Sequence, residues 1–179
     1  LKLYLLRHGQ TNYNVLGLCN DSPTPEVRLT PLGLEQAAAA ANRLRDVRLD
    51  RILTSELPRT RETADVVNRD HGVPVAAHRD LNDWRTGLDG RPVADLYAAI
   101  ARDPLHTRLD GGETLAEHRA RVFRFFGWLG TQRDERVLIV GHEETLRAAA
   151  AYFRHLTDEA MLALRFENGE LLEFDLPPR

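Results

Sequence analysis

Two histidines stand where apolar runs stop. Leu3-Tyr4-Leu5-Leu6 gives way to Arg7-His8-Gly9, and Val137-Leu138-Ile139-Val140 gives way to Gly141-His142. Short unbroken apolar runs read as buried strands of a parallel sheet. In open α/β sheets ligands bind outside the carboxyl ends of strands, so both imidazoles are expected at one rim. There Arg7 supplies a permanent forked cation, His8 a titratable nucleophile and Gly9 a flexible turn. Arg59 lies early in the helix that follows a further strand, Arg51 to Ser55, and can face the same rim. Two imidazoles and two guanidinium groups suit a tetrahedral oxyanion, whose charge sits on peripheral oxygens. His8 is therefore a candidate nucleophile toward phosphorus. The arginines also disfavour protonation of His8, which must be neutral to attack.

The elements that position these groups follow from periodicity and punctuation. Gln10 to Arg28, with Gly17, Pro23 and Pro25, reads as a long ordered loop beside the site. Thr30 is a good N-cap and Pro31 a good first residue for a helix running to about Asp46. Ser55 is expected to cap a helix with Pro58 in its first turn, ending near His71-Gly72. Val73 to Ala77 is a third strand, at an edge because of Pro74. Asp80 to Gly112 is irregular apart from a helix near Val93 to Ala101. Glu113 to Thr131 is amphipathic at helical spacing, Glu143 to Tyr152 is helical again, and a short helix covers Asp158 to Leu162. Ala163 to Glu167 and Leu171 to Leu176 read as a hairpin around Asn168-Gly169. The pattern is α/β: a three-layer sandwich with a mainly parallel central sheet, helices on both faces and an antiparallel edge hairpin.

Composition bounds the partners. A chain of 179 residues with 42% hydrophobic and 28% charged residues fits one globular domain over 1–179. The net charge of −3 gives no global field toward nucleic acid or an anionic membrane, so any anion site is local. A lone Cys19 excludes an intrachain disulfide. No run reaches membrane-spanning length and the first apolar run is too short for a signal peptide, so a cytoplasmic location is expected. His142-Glu143-Glu144-Thr145-Leu146 starts like a zinc-protease helix but lacks the second histidine. There is no Gly-Lys-Ser/Thr phosphate loop and no dinucleotide glycine fingerprint. Neither metal nor cofactor is expected.

Five segments in order then resemble one family. They are Leu6-Arg7-His8-Gly9-Gln10-Thr11 with Asn14; Leu29-Thr30-Pro31-Leu32-Gly33 with Gln36-Ala37; and Thr54-Ser55-Glu56-Leu57-Pro58-Arg59-Thr60-Arg61-Glu62-Thr63-Ala64. Gly111-Gly112-Glu113-Thr114 and Val140-Gly141-His142 with Arg147 complete the set. Together they resemble the histidine phosphatase superfamily, the phosphoglycerate mutase-like proteins. The resemblance implies a phosphatase acting on small phosphomonoesters through phosphohistidine at His8. Arg7, Arg59 and His142 would hold the phosphoryl oxygens, and Asn14 would add a neutral donor. The proton donor, usually Glu in a Leu-x-Glu context, falls on Asp83 of Leu81-Asn82-Asp83, one methylene shorter. Asn20 and Asp21 lie where some relatives touch the rest of the substrate. Glu143 replaces a residue that is commonly small; solvent is its expected direction.

The expected partner is a small phosphorylated metabolite, with phosphate or sulfate able to occupy the site. Neither nucleic acid nor membrane is expected, and the assembly is a monomer or homodimer. The alternatives are a phosphoglycerate mutase, a protein phosphohistidine phosphatase, or a non-catalytic phosphate-ligand-binding member. Trp84 reads as core or substrate wall. Phe123, Phe125, Phe126 and Trp128 read as core. His71, His78, His106, His118 and His155 read as surface or helix-end residues.

Overall fold

The apolar runs become strands. In the computed structural model, which describes residues 1–24 and 26–177, β1 spans Lys2–Arg7, β2 Arg51–Thr54, β3 Val75–Ala77, β4 Arg136–Gly141 and β5 Leu171–Asp175. They form one sheet in the order β3-β2-β4-β1-β5. The first four are parallel, and β5 pairs antiparallel with β1. The helices are α1 Asn12–Leu16, α2 Pro31–Leu44, α3 Pro58–Asn68, α4 Val93–Ile100, α5 Leu115–Leu129, α6 Glu143–Arg154 and α7 Asp158–Ala163.

Alternation along the strands assigns the two faces. Leu3, Leu5, Leu53, Val137 and Ile139 pack with Val122, Phe125, Phe126 and Leu129 of α5 and with the alanines of α6. Tyr4, Leu6, Ile52, Leu138 and Val140 pack with Ala40, Ala41 and Leu44 of α2 and Ala64 and Val67 of α3. Successive side chains on a strand point to opposite faces, so one apolar run serves both layers. A third cluster, including Trp84, Leu96, Ile100 and Leu105, builds the wall between residues 80 and 112. No helix among the described residues is long and apolar enough to cross a membrane.

Three expectations need correction. The loop at 10–28 contains α1, capped by Thr11 and Asn14 in a reciprocal capping box. Ser55 is not the N-cap of α3; that position is Leu57, with no side-chain cap. The hairpin does not form. α7 runs to Ala163, residues 164–167 are not a strand, and β5 pairs with β1 instead. The Asn168-Gly169 turn survives and seals the end of β1, where the Gly169 amide donates to the Arg7 carbonyl at 3.0 Å.

The chain beyond His8 leans closely on the start of α2. A Cβ on Gly9 would lie 2.3 Å from the Gly33 carbonyl oxygen, and one on Gly33 would lie 2.1 Å from that of Gln10. The Thr30 amide donates to the Gln10 carbonyl at 2.9 Å, and the Gln10 amide donates to Gln36 Oε1 at 2.8 Å. Gly33→Ala therefore forces backbone apart directly behind the rim. It is expected to cost roughly 1–3 kcal/mol of stability, the usual range for overpacking. Chemical denaturation checks this; an unchanged midpoint would mean that the contact yields freely.

Candidate active site

β1 and β4 are neighbours in register, with Leu6 opposite Val140 and Arg7 opposite Gly141. They deliver His8 and His142 side by side, ring centroids 5.3 Å apart. The His8 amide donates to the Gly141 carbonyl at 3.0 Å. Arg59, on the first turn of α3, reaches the same point. His8, Arg59 and His142 are all buried.

Hydrogen bonds fix the His8 tautomer. Nδ1 lies 2.7 Å from the Gly9 carbonyl oxygen, which can only accept, so Nδ1 carries the hydrogen. Nε2 then keeps its lone pair and accepts from Arg59 Nε at 3.1 Å. Burial first, then the charges of Arg59, His142 and Arg7, hold the His8 pKa well below the ordinary imidazole value. The ring is neutral at pH 7, with its free nitrogen beside a guanidinium.

His142 is set by Ser55. Thr60 Oγ1 donates to the Leu57 carbonyl at 2.9 Å, so the Ser55 hydroxyl donates to Thr60 at 2.8 Å. Ser55 Oγ is then an acceptor for the Leu57 amide and for His142 Nε2, the latter at 2.9 Å. Burial and the Arg59 charge keep His142 well below its ordinary pKa. Its Nδ1 has no hydrogen-bond partner among the described residues and lies 3.5 Å from Asp83 Oδ2. The neutral ring thus offers an acceptor there; it becomes a donor only after taking up a proton.

The cavity of about 190 Å³ at this rim is lined by Arg7, His8, Asn14, Asn20, Arg59 and Asp83, among others. His142 lies just behind that wall. Asp83 Oδ2 pairs with Arg59 Nη2 at 2.8 Å, and Asp83 Oδ1 accepts from the Trp84 amide at 2.8 Å. Asn20 serves Arg59: its side-chain oxygen and its carbonyl both accept from that guanidinium. Asn14 Oδ1 is committed to Thr11 and Asn168, which leaves its amide hydrogens toward the pocket. Asp21 binds the backbone of Thr86 and Gly87 and so ties two loops together. Trp84 is both core and wall. Cys19 is buried, and burial pushes its thiol up to about 11, which leaves it inert.

Three residues sit where the sequence reading did not put them; one is Trp128, read as core, which is exposed at the end of α5. Glu143 lines the cavity instead of facing solvent. Its carboxylate lies 3.3 Å from Arg7 Nη1 and accepts from Arg147 Nη2 at 3.0 Å, so two cations from separate segments turn it inward. Arg7 also donates to the Phe166 carbonyl, and its buried Nε has no partner among the described residues. Glu144 is held by Arg147 at 2.8 Å, and burial pushes its carboxyl up to about 7. His118, expected near the surface, is fully buried on α5 beside Glu113. Sequence reasoning also missed the roles of Ser55 and Arg121. Ser55 fell inside a matched segment; Arg121 had no local signal beyond a polar position on an amphipathic helix.

A doubly covered, mainly parallel sheet with two imidazoles and two guanidinium groups at its carboxyl rim defines a phosphoryl-transfer enzyme of the phosphoglycerate mutase-like type. Residues 3–178 match the model of the histidine phosphatase superfamily (branch 1), and the chain belongs to that family. An adenosylcobalamin/alpha-ribazole phosphatase of Escherichia coli is 34% identical, over 94% of this chain and 87% of its own. A 2,3-bisphosphoglycerate-dependent phosphoglycerate mutase of Methylobacterium is 32% identical, over 97% and 90%. The alpha-ribazole phosphatase structure from Shigella flexneri superposes with a TM-score of 0.88 at 33% identity, covering 99% of this chain and 91% of that one.

Glu143 already occupies Arg7, where an anion would bind. In Glu143→Gln the competing charge is gone. The inhibition constant of inorganic phosphate is expected to fall about three- to tenfold, the ~1 kcal/mol of a partly exposed ion pair. Inhibition kinetics measures it; an unchanged or weaker constant would show that Glu143 does not compete for Arg7.

Proposed function

We propose that this chain, a single histidine phosphatase domain over residues 1–179, hydrolyses small-molecule phosphomonoesters by covalent catalysis on His8. The observation that carries the reading is the state of that ring. Nδ1 is spent on the Gly9 carbonyl, and Nε2 presents a lone pair beside Arg59 in a pocket that Arg7 also lines. The arriving phosphate displaces Asp83 from Arg59, and the freed carboxylate takes up a proton; Nε2 attacks phosphorus, the bond from phosphorus to the ester oxygen breaks, and Asp83 gives that proton to the ester oxygen. The phosphoryl group is left on Nε2. Water then attacks phosphorus and gives a proton to Asp83; the N–P bond breaks, releasing inorganic phosphate and free His8. Arg7, Arg59 and the donor end of Asn14 hold the non-bridging oxygens; His142 donates from Nδ1 to a further one once a proton carried in on the phosphate group has moved to that nitrogen. Asn20 acts through Arg59. The guanidinium groups supply the positive charge, so the scheme uses no metal and no cofactor.

The substrate class is a small phosphorylated metabolite. The relatives in E. coli and Shigella are named for alpha-ribazole, so its phosphate is the first ester to assay. The Methylobacterium relative is named as a mutase and spans a similar length, so 3-phosphoglycerate belongs in the same panel. Isomerisation without phosphate release would give the mutase reading. Phosphate or sulfate is expected to fill the rim pocket. The domain is proposed to act in the cytoplasm, as a monomer or homodimer, with neither nucleic acid nor membrane as partner.

A panel of phosphate esters assayed with wild type, His8→Ala and Asp83→Asn tests the scheme. His8→Ala is expected to lose all measurable turnover on every ester. Asp83→Asn is expected to lose about 10²–10⁴-fold on esters of weakly acidic alcohols, the usual worth of a general acid, and far less on p-nitrophenyl phosphate. Turnover retained by His8→Ala sinks the covalent reading. Equal losses of Asp83→Asn on all esters remove Asp83 from the acid role.

A further inference from the structure

Asp83 is short, so its reach toward a leaving oxygen is set by where its backbone stands. That backbone is held from behind by one side chain. Arg121 of α5 donates from Nη1 to the carbonyls of Asp80 and Asn82 at 2.8 and 2.7 Å. From Nη2 it donates to the Asp83 carbonyl at 2.8 Å. The rest of the fork lies on Glu113: Nε donates to Oε2 at 3.1 Å and Nη2 to Oε1 at 2.5 Å. Arg121 and Glu113 are each only 12% exposed in their side chains.

Glu113 closes the other end of the same segment. Its Oε1 accepts from the Arg85 amide at 3.1 Å, its own amide donates to the Arg85 carbonyl at 2.7 Å, and its carbonyl accepts from Trp84 Nε1 at 2.8 Å. Burial opposes the Glu113 charge, yet contact with His118 and Arg121 holds the carboxyl well below its ordinary range. α5 starts at Leu115, later than the sequence pattern gave, and this leaves Glu113 outside the helix to make these bonds. Residues 80–85 are thus pinned by six hydrogen bonds from the two residues of one ion pair. In front, the Asp83 carboxylate meets Arg59.

We propose that Arg121, anchored by Glu113, is a positioning residue that sets the distance between the Asp83 carboxyl and the leaving oxygen. The proposal rests on the acid role of Asp83 given above. A guanidinium is needed because three carbonyls and a carboxylate must be met by one planar fork; a lysine ammonium has only three rotating donors.

The test is the dependence of turnover on leaving-group acidity. Arg121→Lys, Glu113→Gln, Asp83→Asn and the double variant Arg121→Lys/Asp83→Asn are assayed on phosphate esters from p-nitrophenyl to alkyl, with thermal melting as a check on folding. For Arg121→Lys the expected loss is tenfold or more, roughly, on alkyl esters and about twofold on p-nitrophenyl phosphate, a part of what a general acid supplies. The double variant should be no slower than Asp83→Asn alone, because both changes remove one function. Should Arg121→Lys fail to fold, Glu113→Gln keeps the guanidinium but loosens its anchor, and a smaller loss with the same slope is expected. Equal losses across the esters, or additive losses in the double variant, overturn the proposal. A flat profile for Asp83→Asn itself also overturns it, whereas retained turnover in His8→Ala condemns the wider covalent scheme.

Discussion

A buried guanidinium donating to an unprotonated imidazole nitrogen is the interaction around which this molecule is arranged. Arg59 is 4% exposed and His8 3% exposed. A charge so far from water costs several kcal/mol unless acceptors surround it. Three more are provided beside the imidazole nitrogen: Asp83 Oδ2, the Asn20 side chain and the Asn20 carbonyl. They come from two loops that are laced together. The Cys19 amide donates to the Arg91 carbonyl, the Gly90 amide to the Cys19 carbonyl, and Asp89 accepts from Asn20 and from the Asp21 amide. Satisfying Arg59 therefore specifies the shape of the pocket wall. Burial lowers the Arg59 pKa, and Asp83 is the main group that opposes this.

Much of this was legible in the sequence because the governing signals are local. β1 and β4 are central strands covered on both faces, so they read as unbroken apolar runs, and the polar residues after them mark the rim. Thr30-Pro31 announced α2 through cap chemistry alone. What failed either lacked an apolar stripe or depended on partners remote in the chain. α1 has no buried residue, and Val15 and Leu16 are exposed, so no apolar stripe announced it. The hairpin failed because Leu171 to Asp175 found a better partner in the open side of β1 than in the residues preceding the turn. Glu143 turns inward because Arg7, Arg147 and the Phe166 amide converge on it from three segments.

The departures from the family pattern fall on the carboxylates, not on the cations or imidazoles. Asp83 and Glu143 each pair with one of the two rim arginines. Both arginines are thereby held in place, and on the proposed mechanism an arriving phosphate displaces a carboxylate from each. That arrangement favours ligands whose oxygens carry enough charge to win the exchange.

The central claim is that His8 Nε2, not water, makes the first attack on phosphorus. The most direct measurement uses a phosphorothioate monoester made chiral at phosphorus by sulfur and two oxygen isotopes, hydrolysed in water of the third oxygen isotope. Two successive in-line displacements, first by His8 and then by water, predict inorganic thiophosphate with retained configuration. Inversion would mean one direct displacement by water and would contradict the account.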